Sequence, residues 1–307
     1  MDNNGGIYMA LQNFSKINLP AHASGDFDHA DIHLQSNKIF VAHTANGTIE
    51  VIDCSKNEHV CTIQNCVEAS GVLCAQNKNL IFAASRGSGK ILVIDAIKNT
   101  ILKEIKVGPR PNGLAWDPNH ELLLVADVQE NNARIIDLHT YSLVNTIPLA
   151  GRPRWCIYEP KSNLFLINIR EPAGVAFISS KSGKQEKFIS LNRKGPHGLD
   201  IDFTTNTMFI ACDDKSLVVL DISTGKEKSL IQLSGYPDVI WLNKSKKLLY
   251  CAVDEPGAVD VIDTQNYKLL DTIQTEDGAH TLTFNPKTQL LYVFFPNTCC
   301  ATVYKEN

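Results

Sequence analysis

Ala133-Arg134-Ile135-Ile136-Asp137 closes an apolar run on an aspartate. The same kind of ending stands at Val51-Ile52-Asp53, Val93-Ile94-Asp95, Phe177-Ile178-Ser179, Val219-Leu220-Asp221 and Val261-Ile262-Asp263, so that the run recurs every 42 residues. A seventh echo, Thr302-Val303-Tyr304-Lys305, falls at the same interval. A period of about 40–45 residues made of short strands marks the blade of a β-propeller.

Working outward, the repeat resolves into four strands. Asn112 to Trp116 reads as a short inner strand, and Asp117-Pro118-Asn119-His120 as a turn of residues that set turn dihedrals. Glu121 to Ala126 carries Leu122-Leu123-Leu124-Val125, a strand buried on both faces. Ala133 to Asp137 is the third strand. Leu143 to Leu149 alternates apolar and polar, as a half-solvated outer strand does. Four antiparallel strands per unit make a propeller blade. Six repeats are complete, and the seventh lacks its outer strand when the chain ends. Phe14-Ser15-Lys16-Ile17-Asn18-Leu19 resembles an outer strand and is expected to fill the gap, closing the ring and removing free sheet edges. The expected architecture is all-β: one seven-bladed propeller domain over residues 13–307, with residues 1–12 a loose extension.

Composition adds bounds. With 44% apolar and 20% charged residues the chain has an ordinary globular balance. A net charge of −4 and scattered Lys and Arg argue against a nucleic-acid partner. No stretch approaches the roughly 20 apolar residues of a membrane span. Met1-Asp2-Asn3-Asn4-Gly5-Gly6 has neither the basic nor the apolar part of a secretory signal. Nine Cys without a CxxC pair read as reduced, buried thiols, and a cytoplasmic monomer is the expectation.

The blade pattern, written in Val107-Gly108-Pro109-Arg110-Pro111-Asn112-Gly113 and again in Leu290-Leu291-Tyr292-Val293, resembles the YVTN-type β-propeller repeat over nearly the whole chain. That resemblance points to the lactonase-like and virginiamycin B lyase-like superfamily. Its relatives include periplasmic binding proteins, surface-layer proteins, lactonases, an antibiotic-linearising lyase and haem-binding reductase domains. Such a fold does not choose among functions.

A propeller's loops converge at the mouth of its central channel, the default place for a site. The first inner-strand residues of the seven blades are Asp28, Ser70, Asn112, Arg154, His197, Asp238 and His280, all polar. One position later the residues are mostly small or apolar, Gly71, Gly113, Trp155, Gly198 and Val239, and His29 interrupts them. His197, Asp238, His280 and Asp28 come from consecutive blades, with His29 beside them. Imidazole with carboxylate is both a divalent-metal ligand set and an acid–base set. These five residues are the candidate metal ligands, and His197, Asp238 and His280 the candidate catalytic groups. Opposite them Arg154, Asn112 and Ser70, with Trp155 and Arg170, are placed to hold an anionic small molecule. The second-strand exits add His43, Arg86, Asp127, Asp213 and Asp254 to the same face, His43 as a solvated strand end. His22, His33, His59, His120 and His139 read as turn or surface residues, and the Trp residues as blade-packing anchors. No GxSxG, P-loop, CxxCH, HExxH or dinucleotide loop is present.

Two functions follow. One is a hydrolase or lyase on a lactone- or ester-like anion, run by a metal or acid–base centre at the mouth. The alternative is a non-catalytic propeller that binds a ligand or protein there. Haem binding through His280 or His197 is a third reading, which a colourless preparation would end.

Overall fold

The computed structural model of this chain describes residues 11–306, and among them there is no helix. Seven four-stranded antiparallel sheets form the blades of a propeller. In blade three the strands are Pro111–Asp117, Leu122–Asp127, Asn132–Asp137 and Ser142–Pro148, in that order from the channel outward. The first three are buried almost throughout; the outermost buries chiefly Ile147. That gradient reproduces the change from continuous apolar runs to alternation in the sequence.

The ring closes as the repeat predicts. Leu11–Asn18 pairs antiparallel with Cys300–Glu306 and becomes the fourth strand of blade seven, beside Leu290–Phe295 and Thr281–Asn285. This strand takes in Leu11 and Gln12, while residues 1–10 of the expected extension lie outside the described residues. Turns between strands carry asparagines at positive φ, such as Asn57 at 53° and Asn99 at 57°, a region Asn tolerates better than bulkier residues.

Seven apolar clusters, each shared between neighbouring blades, hold the ring together. Ile17, Ile39, Tyr292 and Val303 join blade seven to blade one, so the N-terminal strand is packed as well as paired. All nine cysteines are free, and Cys66, Cys74, Cys156, Cys212 and Cys251 are buried among these strands. Burial pushes the Cys66 thiol up to about 12. Desolvation of the thiolate makes such groups inert.

Candidate functional site

A bulge shapes the inner strand at five of the seven ring positions. In blade three Pro111 pairs with Asp127 and Leu114 with Val125, so Asn112 and Gly113 together face one partner position. The same shift recurs at Ser70-Gly71, Arg154-Trp155, His197-Gly198 and Asp238-Val239. A bulge re-aims side chains and ends regular pairing. The glycines next to the ring residues are there for space. A Cβ on Gly71, Gly113 or Gly198 would collide with the backbone carbonyl of Asn112, Arg154 or Asp238 on the next blade. The blades thus touch backbone to backbone at the mouth.

The acid–base arc assembles there. His197 Nε2 lies 3.0 Å from Asp238 Oδ1, and its Nδ1 lies 3.4 Å from Asp213 Oδ1. The 3.0 Å approach lacks hydrogen-bond alignment, and Asp238 Oδ1 is buried without a hydrogen-bond partner. Asp28 is paired with its neighbour His29 and lies 3.7 Å from Arg86. Burial opposes the Asp28 charge, but His29, Arg86 and His280 outweigh it and hold the carboxyl well below its usual range. His280 Nδ1 meets the Gly278 carbonyl at 3.0 Å, and Asp254 is 3.7 Å away. Burial disfavours the His280 charge, yet Asp254, Asp238, Asp28 and Asp26 together raise it to about 10. The four surrounding carboxylates thus favour its imidazolium form.

Metal ligation needs lone pairs that share one vacant point. Here Asp28 and His29 are turned on each other, and His280 on the Gly278 carbonyl. Among the described residues no group of three or more His, Cys, Asp or Glu side chains is placed to hold an ion.

The opposite half of the mouth is cationic. Arg152 is lowered by burial and by Arg154, Arg170, Arg86 and Arg110 together, so its guanidinium lies in the field of four others. Arg170 is paired with Asp213 at 2.8 Å. Arg154 makes no ion pair within 4.0 Å among the described residues, and its Nε is buried without a partner. A void of about 10 Å³, room for one water, lies between Arg154, Asn112, His29, Trp155 and His197. Asn112 Oδ1 is likewise buried and unpartnered. Ser70 spends its hydroxyl on the carbonyls of Pro111, at 3.1 Å, and Ala84.

The large space is elsewhere. His29 of blade one stacks on Trp155 of blade four, rings 4.1 Å apart and tilted by 12°, and spans the channel just inside the mouth. Beneath that stack a cavity of about 480 Å³ runs to the far face, where the turn residues Asn77, Pro118, Pro160 and Phe203 border it. His29, Trp155, His197 and Asp238 form its inner end. Its walls carry Trp116, Trp241, Tyr158, Leu73 and Ile157, with two carboxylates, Asp31 and Asp200. These stand three residues after Asp28 and His197, in equivalent slots of blades one and five. Asp31 accepts 2.7 Å bonds from the Ile32 and Cys74 backbone amides, and Asp200 likewise from Ile201 and Leu242. Burial raises Asp31 to about 7 and Asp200 to about 6.

Of the residues singled out in the sequence, His29, Trp155, His197 and Asp238 border this cavity; Arg154 and Asn112 border only the small void; Ser70, Arg170, His280 and Asp28 border neither. The Trp residues anchor blades and wall the cavity as well. Asp31 and Asp200 escaped notice, although counting three places past the ring would have found two acids among mostly apolar residues. Two histidines need correcting. His43 is fully buried, hydrogen-bonded to Glu50 at 3.1 Å and His22 at 2.6 Å, because Glu50 inside the blade needs donors. His33 is also fully buried, its ring held by Ser36 and the Lys78 carbonyl.

The fold and this channel define a seven-bladed β-propeller. Among solved structures, the hydrazine synthase of Kuenenia stuttgartiensis superposes with a TM-score of 0.81 over 99% of this chain and 98% of that chain, at 15% identity. At that identity the likeness concerns the fold. No family model matches the chain and no curated protein matches it. The kinship of the repeat to the YVTN blade thus stands as a likeness of blade sequence.

Proposed function

We propose that this protein is a small-molecule-binding propeller whose ligand occupies the central channel, with its body among the aromatic walls and a polar end toward His29, His197 and Asp238. One observation carries the reading: a cavity of about 480 Å³ bordered by three tryptophans and ending on that polar trio. Pockets of such size with a few converging polar groups are the usual form of a ligand site. The neutral apolar probe N-phenyl-1-naphthylamine should bind the folded protein one to one. Leu73→Trp, which adds volume to the wall, should weaken that binding at least tenfold with the fold intact by circular dichroism. Absence of binding, or binding indifferent to Leu73→Trp, overturns the reading.

A second reading, hydrolysis or elimination at the inner end of the channel, is favoured by the unpartnered Asp238 oxygen beside His197. A carboxylate next to an imidazole is an acid–base pair. In this reading His197 accepts the proton, and Asp238, 3.0 Å away, stabilises the imidazolium that forms. His280 keeps the role of a fixed positive charge. Turnover of a lactone and ester panel that His197→Gln abolishes would support it. Activity unchanged in His197→Gln would end it.

A further inference from the structure

Apart from His29 and His197, every titratable side chain facing the cavity is acidic or ordinarily neutral at pH 7. Asp31, Asp200 and Asp238 border it, and among the described residues no Lys or Arg does. Lys244 comes near, but its ammonium sits over the Phe203 ring, 5.4 Å from the centroid, and is not part of the lining. Neither Asp31 nor Asp200 has an ion-pair partner within 4.0 Å among the described residues. Each carboxylate accepts two backbone amides and has acceptor capacity left. Around them stand Trp116, Trp155, Trp241, Tyr158 and Phe203, whose ring faces attract cations.

Resting on the channel as the ligand site, we propose that its ligand is an organic cation: a protonated amine or quaternary ammonium on an apolar body, its charge set between Asp31 and Asp200 against the aromatic walls. A neutral molecule would leave the two carboxyls without a counter-charge, to stay ionised at a cost or to take up a proton, and an anion would be repelled by whichever is ionised. The burial that raises both groups is consistent with this, because a bound cation relieves it.

The test uses three probes of similar shape: benzyltrimethylammonium, its neutral isostere neopentylbenzene, and the anion 4-tert-butylbenzoate. The chain has three Trp, and all three border the cavity, so intrinsic fluorescence reads this site. Titration of the full-length protein should give at least tenfold tighter binding of the cation than of the neutral isostere, with the anion weakest. The double variant Asp31→Asn/Asp200→Asn should lose that preference and still bind the neutral probe. If the double variant does not fold, the ranking on the parent protein decides alone. Equal affinity for cation and neutral probe, or tightest binding of the anion, overturns the cation proposal and leaves the channel as a site. Binding of none of the three overturns both.

Discussion

Two levels of one channel, three residues apart along the inner segment of each blade, behave in opposite ways. At the mouth stand Asp28, Ser70, Asn112, Arg154, His197, Asp238 and His280. Three residues deeper stand Asp31, Leu73, Ala115, Ile157, Asp200, Trp241 and Thr283. The upper ring is polar throughout, and part of it is spent locally: His280 among four carboxylates, Asp28 on His29 and Ser70 on backbone, while Asn112, Arg154 and Asp238 each keep a buried polar atom without a partner among the described residues. The lower ring is mostly apolar, and it is where the space is. Convergence of polar residues therefore signals a filled mouth as readily as an open site. What leaves room is the absence of groups that can satisfy each other across the axis.

The largest effect that separates the two levels concerns glycine. Gly113→Val places side-chain atoms against the Arg154 carbonyl, a backbone atom that cannot swing aside. Overpacking of this kind costs about 3 kcal/mol. The melting temperature should drop well below that of the parent. Leu73→Phe, growing into the cavity, should cost less than about 1.5 kcal/mol. Equal melting temperatures for the two variants would erase the difference in packing between the levels.

A smaller effect distinguishes them by pH. His280 is raised from 6.5 to about 10, so its stabilisation is complete below about pH 6.5 and fades as pH climbs toward 10. Asp31 and Asp200 are also raised, from 3.8 to about 7 and about 6. Their contribution is complete below about pH 3.8 and fades as pH rises through 6 to 7. Both levels lose stability with rising pH, in separate windows. The gap in unfolding free energy between parent and His280→Gln, read by denaturant titration, should shrink between pH 6.5 and 10, by on the order of 2 kcal/mol. The difference between parent and Asp31→Asn should change between pH 4 and 7 instead. A His280→Gln gap that stays flat to pH 10 would show that the acids around His280 do not hold its charge.

The fold was legible because a blade repeats its burial pattern strand by strand. The polar residue that ends the apolar run of the third strand, aspartate in five of the seven blades, fixes the interval, and Phe14 to Leu19 shows the closing strand by its likeness to Leu143 to Leu149. The ring was legible too, since position along a repeat maps directly onto position around the axis. Which ring residues are free was not. Whether Ser70 faces a ligand or the Pro111 carbonyl depends on a bulge in its own strand and the strand of the next blade. Cavity size depends on His29 meeting Trp155 from across the channel, a contact between residues 126 positions apart that no periodicity encodes. His43 misled for a related reason: its buried partner Glu50 comes from the next strand of the same blade, where an acid in an apolar run passes for a solvated residue.

The smallest expected effects sharpen the comparison most. Arg170→Ala removes a half-exposed pair with Asp213, worth about 0.5 kcal/mol. Ser70→Ala removes a neutral hydrogen bond to backbone, worth about 1 kcal/mol. Both residues sit at the mouth and neither borders the cavity, so affinity for a channel ligand should stay within twofold of the parent in each, measured by the same fluorescence titration. These variants ask whether the mouth takes part in binding at all. A tenfold loss on Arg170→Ala would mean that a ligand passes the His29–Trp155 stack and reaches the arginines above it. The stack would then be a gate between two connected levels, and the guanidiniums a second anchor for the same molecule. Unchanged affinity in both variants keeps the levels separate and leaves the far face as the way in.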